Sequence, residues 1–170
     1  MTLLLKISAF ISTLLAAAIF GFFYAWVSST MWGLDQIDSE VAIQAMQGMN
    51  ASVRNAIFGL IFFGTVPALF LTAGIAASMK LKKLALIFAC SGLVYLFGGA
   101  VLTFMINVPM NEQLALVQLP LSPEEAQSIW QSYSKEWQFW NQTRTVFSGL
   151  AFLIATYGIY TLGKTINPQN

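Results

Sequence analysis

Three short stretches of this sequence carry side chains able to hold or stabilise an anion. The first is Thr103-Phe104-Met105-Ile106-Asn107-Val108-Pro109-Met110-Asn111-Glu112. Pro109 cannot donate a backbone hydrogen bond, so a helix loosens there, and Asn107 can satisfy the freed carbonyls or offer its amide to a ligand. The second is Trp137-Gln138-Phe139-Trp140-Asn141-Gln142-Thr143-Arg144-Thr145, where Arg144 lies one helical turn beyond Trp140 and Asn141. A permanent guanidinium charge at the edge of an apolar segment requires a partner. Glu112, Glu136 or an anionic ligand qualify by type. The third is Arg54-Asn55, which can join the same cluster. Two readings stay open: Arg144, Asn107 and Asn141 clamp packed helices in register, or they line a pocket that orients an oxyanion or enolate.

The elements that must position these groups are helical. Ser122-Pro123-Glu124-Glu125 is a helix start: Ser122 can accept from a free amide, Pro123 suits the first position, and Glu125 completes a capping box. From there Trp130, Tyr133, Trp137 and Trp140 recur at spacings of three and four, on one helix face. Indole and phenol rings favour a membrane interface, so the stripe reads as an interfacial anchor or as an aromatic wall for a flat ligand. The helix is expected to run on into the apolar segment that follows. Asp38 is placed to cap an earlier helix with Val41, Ala45, Met49 and Val53 as its apolar face.

Only 9% of the 170 residues are charged while 57% are hydrophobic. A soluble surface needs about 25% charged residues. Four apolar runs, residues 5–28, 57–79, 84–106 and 145–163, each approach the roughly 20 residues that span a bilayer. The first is longer than a signal-peptide core and continues through Phe20, Phe22, Phe23 and Trp26, so it reads as a retained span. The expected fold is all-α: a single domain over residues 1–170, a membrane four-helix bundle with amphipathic helical segments in its two longer loops. Lys6, Lys80, Lys82, Lys83 and Lys164 fall at one end, and all seven acidic residues lie in the loops at the other. The positive-inside rule then describes a multi-pass plasma-membrane protein with both termini cytoplasmic. Ala17 with Gly21, Ala73 with Ala77, and Gly98-Gly99 are candidate close helix contacts, and Pro67 a candidate kink.

Several functions are excluded. A net charge of +1 gives no case for nucleic acid. The absence of histidine excludes His-ligated haem or iron and a Ser-His-Asp triad. Cys90 is single, cannot form an internal disulfide, and reads as a small buried hydrophobe. There is no phosphate loop, zinc spacing or intramembrane acidic chain. The expected partners are membrane lipids and a small lipophilic aromatic ligand, with oligomeric state left open. A non-catalytic protein that binds lipid or quinone, or that serves as a subunit of a membrane assembly, fits the same composition.

Thr30-Met31-Trp32-Gly33-Leu34 with Ala42-Ile43-Gln44-Ala45-Met46-Gln47-Gly48-Met49-Asn50, then Asn107-Val108-Pro109-Met110-Asn111-Glu112-Gln113-Leu114, then Trp137-x-x-Trp140-Asn141-x-x-Arg144-Thr145, together resemble the anthrone oxygenase-like membrane proteins, a four-span family. Trp32 and Ala56 depart from it, standing where that family often has proline. The resemblance implies oxidation of an anthrone to an anthraquinone by dioxygen without a cofactor. It implies a base, for which Glu112 is the first choice, and oxyanion stabilisers, Arg144 and Asn107. It also implies an aromatic pocket lined by Trp137 and Trp140, with Asn111, Asn141, Arg54 and Asn55 as further substrate contacts. No metal ligand is implied.

Overall fold

Lipid cannot hydrogen-bond a backbone, so a chain this apolar must satisfy its amides within helices. The computed structural model describes residues 2–166, and these contain helices and no strand. The extreme chain ends, on which the expected topology also bears, lie outside the described residues. Helix α1 (Thr2–Ala25) passes through π-helical turns at Trp26–Thr30 into a short α2 (Met31–Leu34), and α3 (Ser39–Ser52) follows. Helix α4 (Ala56–Ser78) returns, with Pro67 inside an unbroken helix. Helix α5 (Lys82–Tyr95) continues through π-helical stretches Leu96–Val101 and Thr103–Asn107 into α6 (Val108–Ala115). The last helix, α7 (Pro123–Ile166), runs 44 residues without interruption, as the sequence led us to expect.

Four of these paths are long and apolar enough to cross a bilayer: Leu3–Leu34, Ala56–Ser78, Lys82–Ala115 and Pro123–Lys164. Each contains one of the expected apolar runs apart from a residue at an end. This is a membrane protein of all-helical fold. Helix α1 packs on α4 and α7, and α5 packs on the same two, which closes a ring of four antiparallel neighbours. Outward-facing Phe10, Leu14, Leu60, Leu71, Leu86 and Leu153 form the lipid-facing surface. Cys90 is on that surface too, not in the core as expected. In lipid an outward apolar side chain is as well solvated as a buried one, so hydrophobicity does not report burial.

The turn between α4 and α5 is closed by two backbone bonds, Leu81 N–H to the Ala76 carbonyl at 3.0 Å and Lys80 N–H to Ala77 at 2.9 Å, with Lys80 in the left-handed region at φ 61°. That is a Schellman stop, here on a lysine. Close packing elsewhere follows the small residues only in part. A Cβ on Gly98 would lie 2.2 Å from Cγ of Phe147, so this glycine lets α7 approach. Gly21, by contrast, is exposed, and a Cβ added there would meet nothing within 4 Å. The buried residues of that turn are Ile19 and Phe23, and the pairing of Ala17 with Gly21 is not a contact seam. Ala73 is buried while Ala77 is exposed.

The first half of α7 extends beyond the bundle, since 44 residues span about 66 Å and the hydrocarbon core about 30 Å. Helices α2, α3 and α6 cover it as a cap. Its core is Met31, Leu34, Ala42, Ile43, Met46, Leu114, Ala126, Trp130, Tyr133 and Trp137. Asp38 caps α3, accepting from Glu40 and Val41 N–H at 3.0 and 3.2 Å, and Ser122 accepts from Glu125 N–H at 3.3 Å at the start of α7. The apolar face expected for α3 is rotated: Ala42, Ile43 and Met46 are buried, whereas Val41 is exposed. Packing against both α6 and α7 widens the buried face beyond a single i, i+4 row.

Gly98→Ala is expected to lower the thermal midpoint of the protein in detergent, with an overpacking cost of about 1–3 kcal/mol. Gly21→Ala is expected to leave the midpoint unchanged or slightly raised. Equal midpoints for the two variants would refute the close approach of the third span and α7 at Gly98.

Candidate functional site

Where the bundle meets the cap the packing leaves a cavity of about 520 Å³, within the range typical of small-molecule sites. Span one contributes Phe22, Phe23 and Trp26, α3 contributes Met49 and Asn50, and α4 contributes Phe58, Phe62 and Phe63. The turn into α4 supplies Arg54 and Asn55, the third span supplies Thr103, Phe104, Asn111 and Glu112, and α7 supplies Trp137 and Arg144.

Arg144 is the dominant charge. Its residue is 6% exposed, yet no carboxylate pairs with it among the described residues. Its Nε donates to Asn141 Oδ1 at 2.9 Å and its Nη1 to Thr103 Oγ1 at 3.3 Å. The guanidinium carbon lies 4.3 Å from the centre of the Phe23 ring and 5.1 Å from that of Trp137. Neutral dipoles and π faces therefore replace the counterion, each desolvated cation–π contact being worth about 2 kcal/mol. A guanidinium has five donors, and these two bonds use Nε and Nη1, so Nη2 remains for an anion in the cavity.

The partner expected for Arg144 is elsewhere. Glu112 pairs with Arg54 at 3.6 Å, and both side chains are more than half exposed. Glu136 is also exposed and lines a separate groove on the cap. Helix α6 turns Glu112 toward the cavity mouth, whereas Arg144 sits deeper, below Trp137. The long-range clamp around Arg144 is thus made by Thr103, a residue in the right stretch whose role the spacing did not reveal.

Asn111 holds the aromatic stripe. Its Oδ1 accepts from Tyr133 Oη at 2.8 Å and from Trp137 Nε1 at 2.9 Å. Asp35 anchors the other end, accepting from Trp130 Nε1 at 3.0 Å, Ser134 Oγ at 2.7 Å and Gln138 Nε2 at 2.9 Å. Trp130, Tyr133 and Trp137 are buried between cap and bundle, and Trp26 packs on Trp137 with ring centroids 5.1 Å apart. Only Trp140 is half-buried, against Phe139, and it does not line the cavity.

The remaining candidates divide. Asn55 lines the cavity and caps α4, its Oδ1 accepting from Ile57 and Phe58 N–H at 2.9 and 3.0 Å. Asn141 is buried behind Arg144 and donates to the Phe23 carbonyl at 3.3 Å, tying α7 to span one. Asn107 is fully buried with neither amide atom hydrogen-bonded, and it does not line the cavity. The π-helical turns before it rotate the helix and turn it away from the cavity that Thr103 and Asn111 reach. The aromatic walls of spans one and two were not evident from the sequence. Phe22, Phe23 and Trp26, and Phe58 with Phe62, do recur at three- and four-residue spacing, but in an all-apolar helix that pattern reads as lipid-facing. Among the described residues no three His, Cys, Asp or Glu side chains gather as metal ligands would.

A family model described as anthrone oxygenase matches residues 49–154, which is more than half of the chain. The chain belongs to the anthrone oxygenase family. The match begins in α3 and ends in the membrane half of α7, so it takes in Arg54, Asn55, Asn111, Glu112, Trp137 and Arg144. Neither the search of curated proteins nor that of solved structures finds a match.

Asn111→Leu leaves the buried Tyr133 hydroxyl and Trp137 indole without their acceptor. It is expected to destabilise the protein by on the order of 1–3 kcal/mol per group, read as a lowered thermal midpoint. Asn111→Asp keeps an acceptor and is expected to keep most of the stability. If Leu and Asp behave alike, Asn111 does not hold the stripe.

Proposed function

We propose that this protein is a membrane oxygenase that uses dioxygen to convert the methylene carbon of an anthrone-like, flat, lipophilic substrate to a carbonyl. The observation that carries the reading is Arg144: a buried guanidinium without a carboxylate, on the wall of an aromatic cavity. Anthrone is a carbon acid. Loss of its methylene proton leaves a carbanion whose charge is shared with the carbonyl oxygen. That oxygen is the atom Arg144 is placed to stabilise, and the effect is largest in a dry site. Asn141 acts as a positioning residue, since it fixes Nε and so the plane of the fork.

Glu112 is the carboxylate on the cavity lining and takes the proton in this reading. The carbanion then passes an electron to dioxygen, recombination forms a carbon–oxygen bond as a peroxide anion, and the proton held by Glu112 returns to give the hydroperoxide. Elimination of water from that hydroperoxide gives the second carbonyl. One oxygen atom of dioxygen is kept and the other leaves as water, and the substrate supplies all the electrons that dioxygen takes up. Trp137, Phe23 and Phe62 are aromatic walls for the substrate rings, and the chain's own groups bind, orient and exclude water.

The same reading places the protein in the plasma membrane, with the Lys80, Lys82 and Lys83 turn cytoplasmic and the cavity near the outer surface. In a Cys90→Ala background, Ser122→Cys is expected to react with a membrane-impermeant maleimide in intact cells, and Lys80→Cys only after lysis. The reverse pattern would invert the topology.

Oxygen uptake by purified protein with a panel of anthrones is the direct assay. Uptake is expected to fall by about 100- to 1,000-fold in Arg144→Ala, the range for removing an oxyanion donor, and to recover only partly in Arg144→Lys because a point charge does not reproduce the fork. Uptake no faster than the uncatalysed reaction, or uptake untouched by Arg144→Ala, would sink the proposal. Stable binding of a quinone without turnover would favour a non-catalytic quinone-binding protein in its place.

A further inference from the structure

The cavity has two unlike sides. At its mouth toward the cap, Arg54 and Glu112 form an exposed ion pair. On the flank of the bundle stand two phenylalanines, Phe63 from α4 and Phe104 from the π-helical stretch Thr103–Asn107. Both line the cavity. Both are also open to the outside of the bundle, at 61% and 48% exposure. Their ring centroids are 5.9 Å apart, and Phe62 backs them from inside at 5.1 and 5.6 Å. These rings stand between the cavity and the surroundings of the bundle.

The surroundings at that level are acyl chains. Helix α4 has 23 residues and begins at Ala56, so Phe63 lies about 10 Å along the axis from the helix start. That depth is within the hydrocarbon layer of a core about 30 Å thick.

We propose that Phe63 and Phe104 form a lateral gate through which a flat, uncharged aromatic ligand passes between the lipid and the cavity. The inference rests on the aromatic-ligand reading of the cavity, and on nothing about its chemistry. Such a ligand gains about 25 cal/mol for each Å² of apolar surface withdrawn from water, so the bilayer is its reservoir. Entry past Arg54 and Glu112 takes an uncharged apolar ligand out of the lipid and past two hydrated charges that offer it no apolar contact. Entry between the rings exchanges one apolar contact for another. Exposed side chains change rotamer within picoseconds to nanoseconds, so two outward rings can part without moving a helix. On the other flank of α4 a separate surface groove runs beside Phe22 and Phe58, whose ring centroids are 4.8 Å apart.

The test is stopped-flow quenching of tryptophan fluorescence in lipid nanodiscs by two probes. Anthraquinone partitions into lipid, and anthraquinone-2-sulfonate stays in water. Trp26 and Trp137 line the cavity, and a Trp137→Phe variant identifies the phase that reports binding there. The double variant Phe63→Ala, Phe104→Ala is expected to speed both association and release of anthraquinone several-fold, with a smaller change in affinity. Phe63→Trp, which fills the gap, is expected to slow both. The sulfonate should be insensitive to these changes and faster in Glu112→Gln, which loosens the ion pair. Rates that shift equally for both probes, or an affinity lost with association unchanged, would overturn the gate and leave the oxygenase reading intact. Absence of binding by either probe would overturn both. Gated binding without oxygen uptake would support the gate and remove only the oxygenase reading.

Discussion

A guanidinium in an apolar bundle loses its hydration and must be solvated by the protein or not be buried at all. Arg144 is solvated by groups from three helices: Asn141 on its own, Thr103 on the third span, and the Phe23 ring of the first. Its fourth contact, the Trp137 ring, is set in turn by Asn111, which also sets Tyr133. Moving any of these elements exposes the cation to hydrocarbon without compensation. The register of the bundle at this level and the seating of the cap are consequences of one buried charge. The readings that the sequence left open, structural clamp or anion site, are not exclusive: the bond to Thr103 ties α7 to the third span, Asn141 fixes Nε from within α7, and Nη2 is left without a hydrogen bond on a residue that lines the cavity.

Helix α7 is what lets a membrane bundle and a water-facing cap share a site. Its continuity transmits the fixed position of Arg144, in the bundle, directly to Trp137, Tyr133 and Trp130 in the cap. These aromatic residues look like an interfacial belt because their polar tips need partners while their rings need an apolar surface. The cap provides both, through Asn111 and Asp35. Once buried, the rings no longer anchor the protein to headgroups but form the joint between two differently packed halves.

The spans, their short lysine turn, and the starts of α3 and α7 were legible in the sequence because each depends on local chemistry: length of apolar run, a side chain able to cap, a proline at a first turn. The family resemblance was legible from three motifs. What faced what was not. Along α4 every side is apolar, so periodicity cannot separate the face bearing Phe62 from the face bearing Leu60. The same uniformity hid Phe22, Phe23 and Trp26 as cavity walls and put Cys90 inside when it points outward. The residues around Arg144 were found by type, but the choice of partner was not: Glu112 has the right charge, and helix α6 directs it to Arg54. The π-helical stretches of the third span, which decide that Thr103 and Asn111 reach the cavity while Asn107 does not, add a residue to a turn without any marker in composition.

The position of the cavity follows from the change in packing across this joint. Toward the lysine turn, small residues such as Ala9, Ala73, Ala76 and Ala155 bring the spans together, and Gly98 does so near the middle. Toward the cap, large aromatic rings such as Phe22, Phe23, Phe58 and Phe62 stand between the spans, and the first and third spans pass into π-helical turns. Space therefore opens at the level where the rings begin, and that is also where polar side chains first become tolerable because the cap can satisfy them. A low dielectric there makes the cation costly to bury and, for the same reason, makes its field strong on anything bound beside it. Because the fold solvates Arg144 with dipoles and ring faces, instead of neutralising it with a carboxylate, that field is left unneutralised at the cavity wall.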